Sequence, residues 1–588
     1  MWRYEPPLRD IRFVIDEVLA APADWARLPA CAELDADTAA QVIGEAGRFA
    51  AEVLAPINGP ADLEGCRWRD GAVTTPAGYA EAWRGFVDAG WPALACDAEL
   101  GGQGLPQLVN AAVYEMLTAA NHAWTMYPGL LHGAYECLKA HGSAALRERW
   151  LPGIVSGETL ATMCLTEPQA GSDLGQVRTR AVPQPDGSLR ITGGKIFISG
   201  GEHDLTDNIV HLVLCRLPDA PAGSRGLSLA LVPKLLDDGS RNALRCDGIE
   251  KKMGIKGSAT CVMSFEGATG WLIGEPGRGL NAMFLMMNAA RLLVGLQGLG
   301  HLEMAAQNAR CYAHERLQSR APGSDSPAGD PIALHPSMRR VLNRLQALVE
   351  GQRVLAYATA HWLDLAGHDA DPAARRRAQD RADLLTPVVK AMLTRNGFAG
   401  ASEALQVWGG YGYIHEYGIE QTLRDSRIAL IYEGTNEIQA LDLVQRKILG
   451  DEGRRLGELL DELAGEAVAP ASAPEELQAF AGALAAAIGD FRSAIGALAD
   501  AARTDPTHAQ AVAGEVLDAF GLVLLGWAWA RSARIALAAA ERPGADRAWL
   551  ARKRATAAYG RDWLLPELAT PLRLIRARGL LLPSAAQA

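Results

Sequence analysis

Two changes of hydrophobic period, one near Leu160 and one near residue 279, constrain this 588-residue chain more than any other feature of its sequence. Outside them, apolar residues recur at helical spacing. "DTAAQVIGEAGRFAAEVLAPI", for example, sets Ala40, Ile43, Ala46, Phe49 and Val53 three and four residues apart, which is one face of a helix. Pro56 and Gly59 are expected to stop that helix. Between the two changes, "TLATMCLTEPQAGSD", "LRITGGKIFISG", "IVHLVLCRL", "LSLALVPKLL" and "TCVMSFEGATGWLIG" read as strands separated by glycine, proline and aspartate turns. They lack the intervening helices of βαβ crossovers, so the expectation is an antiparallel or mixed β unit, not a Rossmann fold. The fold class that follows is mainly α with a central β domain.

The same reading divides the chain into an N-terminal extension (1–34), an N-terminal helical domain (35–160), a middle β domain (161–278), a second helical domain (279–450) and a C-terminal helical domain (451–588). The methionine- and leucine-rich run after residue 279 reads as core packing rather than a cofactor box. Ser319 to Pro336 is a Gly/Pro/Ser/Asp-rich loop, and Glu466 to Glu476 is a short elbow before the alanine-rich tail.

Composition removes several function classes. With 57 Lys+Arg against 68 Asp+Glu the net charge is -11, which argues against a phosphate-tracking surface over the whole chain and hence against a nucleic-acid partner. Nine cysteines without a CxxC pair suit thiols in a reducing compartment. The N-terminus also lacks the pattern of a secretory signal, so a cytoplasmic location is expected. "FGLVLLGWAWARSARIALAAA" is interrupted by Arg531 and Arg534 and reads as a buried helix, with no transmembrane segment expected. The twelve histidines form no HExxH, no GxSxG elbow is present, and no metal site is expected.

The segment with the clearest chemistry is "RDSRIALIYEGTNEIQALDLVQRKILG". Asn436 and Gln439 have the spacing of a capping box, and Ile438, Leu441 and Leu443 begin a helix. Glu433 then falls just before a helix N-terminus, where free amides favour an oxyanion. A carboxylate there can abstract a proton once a substrate closes over it. The glycines of "QVWGGYGYIHE" lie in helical surroundings and read as a turn, not a dinucleotide fingerprint.

Five motifs in order, "LTEPQAGSD", "GGKIFISG", "KKMGIKGSATC", "ALQVWGGYGYIHEY" and "RDSRIALIYEGTNEIQ", resemble those of the acyl-CoA dehydrogenase family over about residues 35 to 450. The longer ends resemble the subgroup with extra terminal segments that includes 3-methylmercaptopropionyl-CoA dehydrogenases. The resemblance implies an acyl-CoA dehydrogenase-like fold with an additional C-terminal helical domain. It also implies bound FAD, oxidation of an acyl-CoA to trans-2-enoyl-CoA as in β-oxidation, electron delivery to an electron-transfer flavoprotein, and a homo-oligomer, for which FAD sites shared between subunits and the extra C-terminal helices favour a homodimer. Glu433 matches the family's catalytic base. Met163, Leu165 and Thr166 resemble its flavin-facing strand, and Ser172 a contact on the CoA side or with flavin phosphate. Phe197 stands where an aromatic packs on the flavin, and Ser199 where a threonine lies near N5. Arg316 resembles an arginine that reaches FAD phosphates across the subunit interface, and Gln318 belongs to the same FAD-binding stretch, although the aromatic and glycine expected after Gln318 are replaced by Ser319 and Arg320. Gln406, Gly409, Gly410 and Gly412 resemble a turn that accepts the pyrophosphate of a neighbouring subunit's FAD, and Thr435 and Glu437 an adjoining stretch that reaches FAD.

Two alternatives keep the flavin and change the outcome. A related oxidase would pass its electrons to oxygen, and no motif here decides oxygen access. A flavin-containing nucleic-acid-binding relative is disfavoured by the acidic charge balance and the intact Glu433.

Overall fold

The computed structural model describes residues 3–577 and divides into two compact units, Glu45–Leu293 and Met1–Gly44 with Val294–Ala588. The helix over Ala36–Phe49 is not stopped by Pro56 and Gly59 as the sequence suggested. A π turn over Ala50–Leu54 leads into a further α segment, Ala55–Glu64. Pro56 falls in the first turn of that segment, where a missing N–H costs little. Termination waits for Gly65, whose positive φ of 66° and N–H to the Ala61 carbonyl (2.9 Å) turn the chain away.

In the Glu45–Leu293 unit, the helix Gln107–Thr125 is buried along almost its whole length. Its Trp124 ring meets Phe86 edge-on at 5.2 Å. Beyond it, the Tyr127 hydroxyl accepts the Ala259 N–H at 2.9 Å and donates to the Gly257 carbonyl at 3.2 Å. Gly257 has no room for a side chain, because a Cβ there would lie 2.3 Å from the Tyr79 hydroxyl. The motif "IKGSATC" is therefore a junction between helices and sheet.

Two short strands, β1 (Arg67–Arg69) and β2 (Ala72–Thr74), form a hairpin. The main sheet contains β3 (Thr159–Cys164), β4 (Arg180–Pro183), β5 (Leu189–Ser199), β6 (Asn208–Arg216), β7 (Leu227–Pro233), β8 (Leu244–Ile249) and β9 (Thr260–Ile273). It is mixed: β3 runs parallel to β6, while β5–β9, β6–β7, β7–β9 and β8–β9 are antiparallel. The pairings β4–β5–β9–β7–β6 return to β4 through Arg180 and Arg216, which closes a small barrel around Cys164, Ala181, Ile191, Val213, Val232 and Phe265. Closure removes most free sheet edges. The β5–β9 register shifts between Lys195 and Ile198, a bulge that re-aims the residues within it.

In the other unit, Pro336–His368 and Pro372–Trp408 are long helices joined by a turn whose Asp371 caps the Ala373 and Ala374 N–H groups. A Cβ on Gly298 would lie 2.4 Å from the Leu393 carbonyl, so the backbones touch there. As expected, the methionine run is core: Met304 is buried here, and Met286 is buried in the Glu45–Leu293 unit. The N-terminal extension packs on the C-terminal helices, with Phe13 edge-on to Trp549 at 5.3 Å and the Val18 carbonyl accepting from Arg531 Nε at 2.7 Å. Buried Lys553 pairs with both Asp10 and Glu350.

By length and composition, Gly279–Glu315, Glu475–Thr504 and Ala513–Ala539 are each apolar enough to cross a membrane, and 72% of the most apolar window of Ala513–Ala539 is buried within the protein. All nine cysteines are free, and among the described residues no cluster of three or more His, Cys, Asp or Glu could hold a metal. The expected N-terminal extension and C-terminal domain include residues 1–2 and 578–588, which lie outside the described residues.

Removing the buried Lys553 cation leaves two half-buried carboxylates without their shared counter-ion, which costs about 1.5–3 kcal/mol. Lys553→Met should therefore lower the melting temperature by several degrees, read by calorimetry, whereas an unchanged transition would show that this cation does not hold the N-terminal segment in place.

Candidate active site

In the Glu45–Leu293 unit, the motifs "LTEPQAGSD" and "GGKIFISG" are joined by a buried ion pair that the sequence reading did not assign. Lys195 Nζ lies 2.9 Å from Glu167 Oε1 and donates to the Leu165 carbonyl at 3.0 Å. Glu167 also accepts from the Arg178 N–H (2.7 Å), the Thr179 N–H (3.0 Å) and the Thr179 hydroxyl (2.6 Å). Burial opposes its charge, but Lys195 and these donors outweigh that and bring its pKa down to about 2. Burial lowers the pKa of Lys195 as well, against the pull of Glu167. With the carboxylate so firmly ionised, the charged pair is the state the geometry supports at neutral pH.

This pair fixes the strands that carry the predicted flavin-facing residues. Met163 pairs in register with Leu212 on β6. Leu165 and Thr166 follow the end of β3, and the Thr166 carbonyl accepts the Ile196 N–H at 2.9 Å. Phe197, inside the bulge, has φ of 60° and is 58% exposed. A large apolar side chain held in a left-handed conformation and turned outward is costly, and such strain points to a functional surface. Ser199 ends β5 half-buried, and Ser172 lies in an exposed bend.

In the Val294–Ala588 part of the other unit, Arg316 and the glycine turn meet: the guanidinium lies 5.5 Å from the Tyr411 ring centroid. Trp408, just before the turn, stacks on Tyr312 at 4.2 Å. Gly409 (φ of 60°) and Gly410 are exposed, with nothing within 4 Å of where a Cβ would stand. That leaves their backbone open to a close-approaching oxyanion. Gly412 differs, because it is buried and a Cβ would lie 2.7 Å from the Leu405 carbonyl, so its missing side chain serves packing. Gln406 is exposed on the last turn of Pro372–Trp408. The backbone of Gln318 exchanges contacts with the loop after it, donating to the Asp330 carbonyl (3.0 Å) and accepting from His335 (2.8 Å).

Glu433 and Gly434 are consecutive left-handed residues, with φ of 57° and 85°. The capping box expected from Asn436 and Gln439 is not formed. Thr435 is the N-cap, accepting the Ile438 N–H at 3.4 Å. The cap moves one residue because Asn436 is engaged elsewhere: its Oδ1 accepts from Lys390 (2.9 Å) and its Nδ2 donates to the Ala391 carbonyl (3.0 Å). Gln439 turns back and donates to the Glu433 carbonyl at 3.1 Å. Glu437 is exposed in the first turn of the helix. Tyr432, beside Glu433, donates to Gln297 Oε1. Burial, with the Glu433 carboxylate next to it, holds this phenol well above the ordinary tyrosine pKa, so it stays neutral.

Within the Glu45–Leu293 unit the outward Phe197 ring suits the face of a flavin, and within the other unit the Arg316 guanidinium beside the open Gly409–Gly410 backbone suits a phosphate, so each set of residues fits a part of FAD. The Glu45–Leu293 unit joins helices to a closed β barrel and the other unit is helical, the element order of a flavin-dependent oxidoreductase of the helical–β–helical class. The chain belongs to the acyl-CoA dehydrogenase family, whose members are FAD-dependent oxidoreductases. The family's N-terminal domain matches residues 36–158, its middle domain 162–268 and its C-terminal domain 277–449, and an acetyl-CoA dehydrogenase C-terminal-like domain matches 456–582. The chain is 44% identical over 562 residues to the 3-methylmercaptopropionyl-CoA dehydrogenase of Ruegeria pomeroyi, covering 94% of this chain and 95% of that protein. It is 34% identical to the broad-specificity linear acyl-CoA dehydrogenase FadE5 of Mycobacterium tuberculosis, covering 98% of each. The fold superposes on an acyl-CoA dehydrogenase from Bacillus anthracis complexed with FAD, with a TM-score of 0.75 at 21% identity, covering 96% of this chain and 91% of that one.

The sign of the Glu167 shift sets a pH window. A carboxyl whose folded pKa is about 2 against an ordinary value near ~4.3 contributes stability that is fully present above the ordinary value and lost as pH falls toward 2. Glu167→Gln removes that contribution and strands the Lys195 ammonium, for a loss of about 3–5 kcal/mol at pH 7. Its melting temperature should consequently fall less steeply than wild type between pH 4.5 and 2.5. Parallel curves for the two proteins would contradict the pairing.

Proposed function

We propose that this chain removes hydrogen from Cα and Cβ of an acyl-CoA thioester to give the trans-2-enoyl-CoA, with Glu433 as the base. The observation that carries this reading is the Glu433–Gly434 turn, in which a glutamate is held in a left-handed conformation within "IYEGT". Strain of this kind persists only where the surroundings enforce it. Thr166, Phe197 and Ser199 would hold the ring of FAD, and Arg316 with the Gly409 and Gly410 backbone would hold phosphate. FAD, when bound, supplies the two-electron acceptor for the hydride that leaves Cβ.

The chain's own contribution is base, polarisation and alignment. The Glu433 carboxylate takes the proton from Cα and keeps it while charge builds on the thioester oxygen. The Glu433 backbone N–H would be the protein donor to that oxygen, an interaction that strengthens as bound substrate excludes water. Neutral Tyr432 adds no second anion next to the base.

The extent of similarity to the Ruegeria enzyme supports 3-methylmercaptopropionyl-CoA as the first substrate to test, followed by straight-chain acyl-CoAs in view of the Mycobacterium relative. Electron-transfer flavoprotein is the proposed acceptor and a homodimer the proposed assembly. The free thiols support a reducing compartment such as the cytoplasm.

Glu433→Gln keeps the size and hydrogen-bonding capacity of the side chain and loses the base. Stopped-flow flavin bleaching by acyl-CoA should slow by at least about 10²-fold, or roughly 2.7 kcal/mol of transition-state stabilisation, while Glu437→Gln stays near wild type. The reverse pattern would reassign the base to Glu437.

A further inference from the structure

We propose that Gln439 is a positioning residue whose side-chain amide locks the Glu433–Gly434 turn and so aims the Glu433 carboxylate. The inference rests on the reading of Glu433 as the base and names the device that holds it. Gln439 is fully buried, six residues beyond Glu433 on the first turns of the helix that Thr435 caps. Its Nε2 donates to the Glu433 carbonyl at 3.1 Å and reaches the Gly434 carbonyl at 3.4 Å. Both carbonyls belong to left-handed residues, so neither enters the hydrogen-bond ladder of the helix that follows. One amide therefore satisfies two acceptors that the turn leaves over.

Glycine at 434 is what lets the amide in. A Cβ there would lie 2.7 Å from Gln439 Nε2, so any larger residue displaces the amide as well as straining the backbone. The orientation of the amide is also defined. Gln439 Oε1 is buried and accepts no hydrogen bond in the described structure. The side chain gives up one acceptor to place its donor on the turn, and a buried unsatisfied oxygen is retained only against a compensating gain.

The rest of the segment is anchored independently of Gln439. Thr435 caps the helix, and Asn436 ties it to Lys390 and Ala391 on Pro372–Trp408. Loss of the Gln439 donor should therefore leave the helix docked and free only the two residues ahead of it. A carboxylate released in this way keeps its chemistry and loses its aim, and misplacement by about 1 Å can cost on the order of 10²-fold in rate.

The test uses full-length holoenzyme and the isosteric, donorless Gln439→Met. Flavin reduction by acyl-CoA should slow by about 10- to 100-fold, with FAD content and acyl-CoA dissociation constant unchanged and the melting temperature lowered by no more than a few degrees. Amide hydrogen exchange should accelerate over residues 433–435 and not over the helix. The double variant Glu433→Gln/Gln439→Met should be no slower than Glu433→Gln alone, because Gln439 acts only through Glu433. Gly434→Ala, which displaces the same amide and also strains the backbone, should reproduce the loss, and Gln439→Leu, equally donorless, takes the place of Gln439→Met if that variant does not fold. Wild-type reduction in the folded single variant, or losses that multiply in the double variant, would overturn the positioning role. A Glu433→Gln enzyme that reduces flavin at the wild-type rate would instead overturn the assignment of the base.

Discussion

The constraint on which the functional part of this protein depends is a pair of consecutive left-handed residues, Glu433 and Gly434. For glutamate that conformation costs roughly 1–2 kcal/mol, and the turn itself does not offset it. The stabilisation comes from the surroundings: a threonine cap, an asparagine clamped to a neighbouring helix and a glutamine amide turned back on the two carbonyls. Each device uses a residue of the same short motif. The sequence around the glutamate is thus largely a set of instructions for one backbone shape.

A second device recurs in the protein, a buried lysine that joins segments far apart in sequence. Lys195 ties β5 to the turn after β3 through Glu167, and Lys553 ties the N-terminal extension to the C-terminal helices through Asp10 and Glu350. Lys195 and Glu167 are both buried, and Lys553 is buried between two half-buried carboxylates, so each lysine is well placed only when its partners are present. Such pairs make poor general stabilisers and effective locks. They fix the residues next to them, Leu165 and Thr166 in one case and the first helical turns of the chain in the other.

Much of this organisation was legible in the sequence, because hydrophobic period reports directly on which face of an element is buried. The β unit, the buried methionines and the elbow before the tail followed from it. Pro56 misled because a π turn shifts the hydrogen-bond register just before it. The helix cap was placed one residue late because Asn436, a good cap by composition, is committed to Lys390. Glu167 and Lys195 both lie inside quoted motifs, yet their pairing spans 28 residues and depends on strand register. The docking of Val18 against Arg531 spans 513 residues, and no local pattern reports a contact of that range.

The central claim is that Glu433 removes a proton from Cα. It can be tested apart from flavin reduction, with an acyl-CoA analogue that carries sulfur in place of Cβ and so cannot release hydride. In deuterated water the holoenzyme should exchange the Cα hydrogens of this analogue for deuterium, followed by proton NMR. The account predicts loss of exchange in Glu433→Gln and its retention in Glu437→Gln. Exchange at the wild-type rate in Glu433→Gln would contradict it.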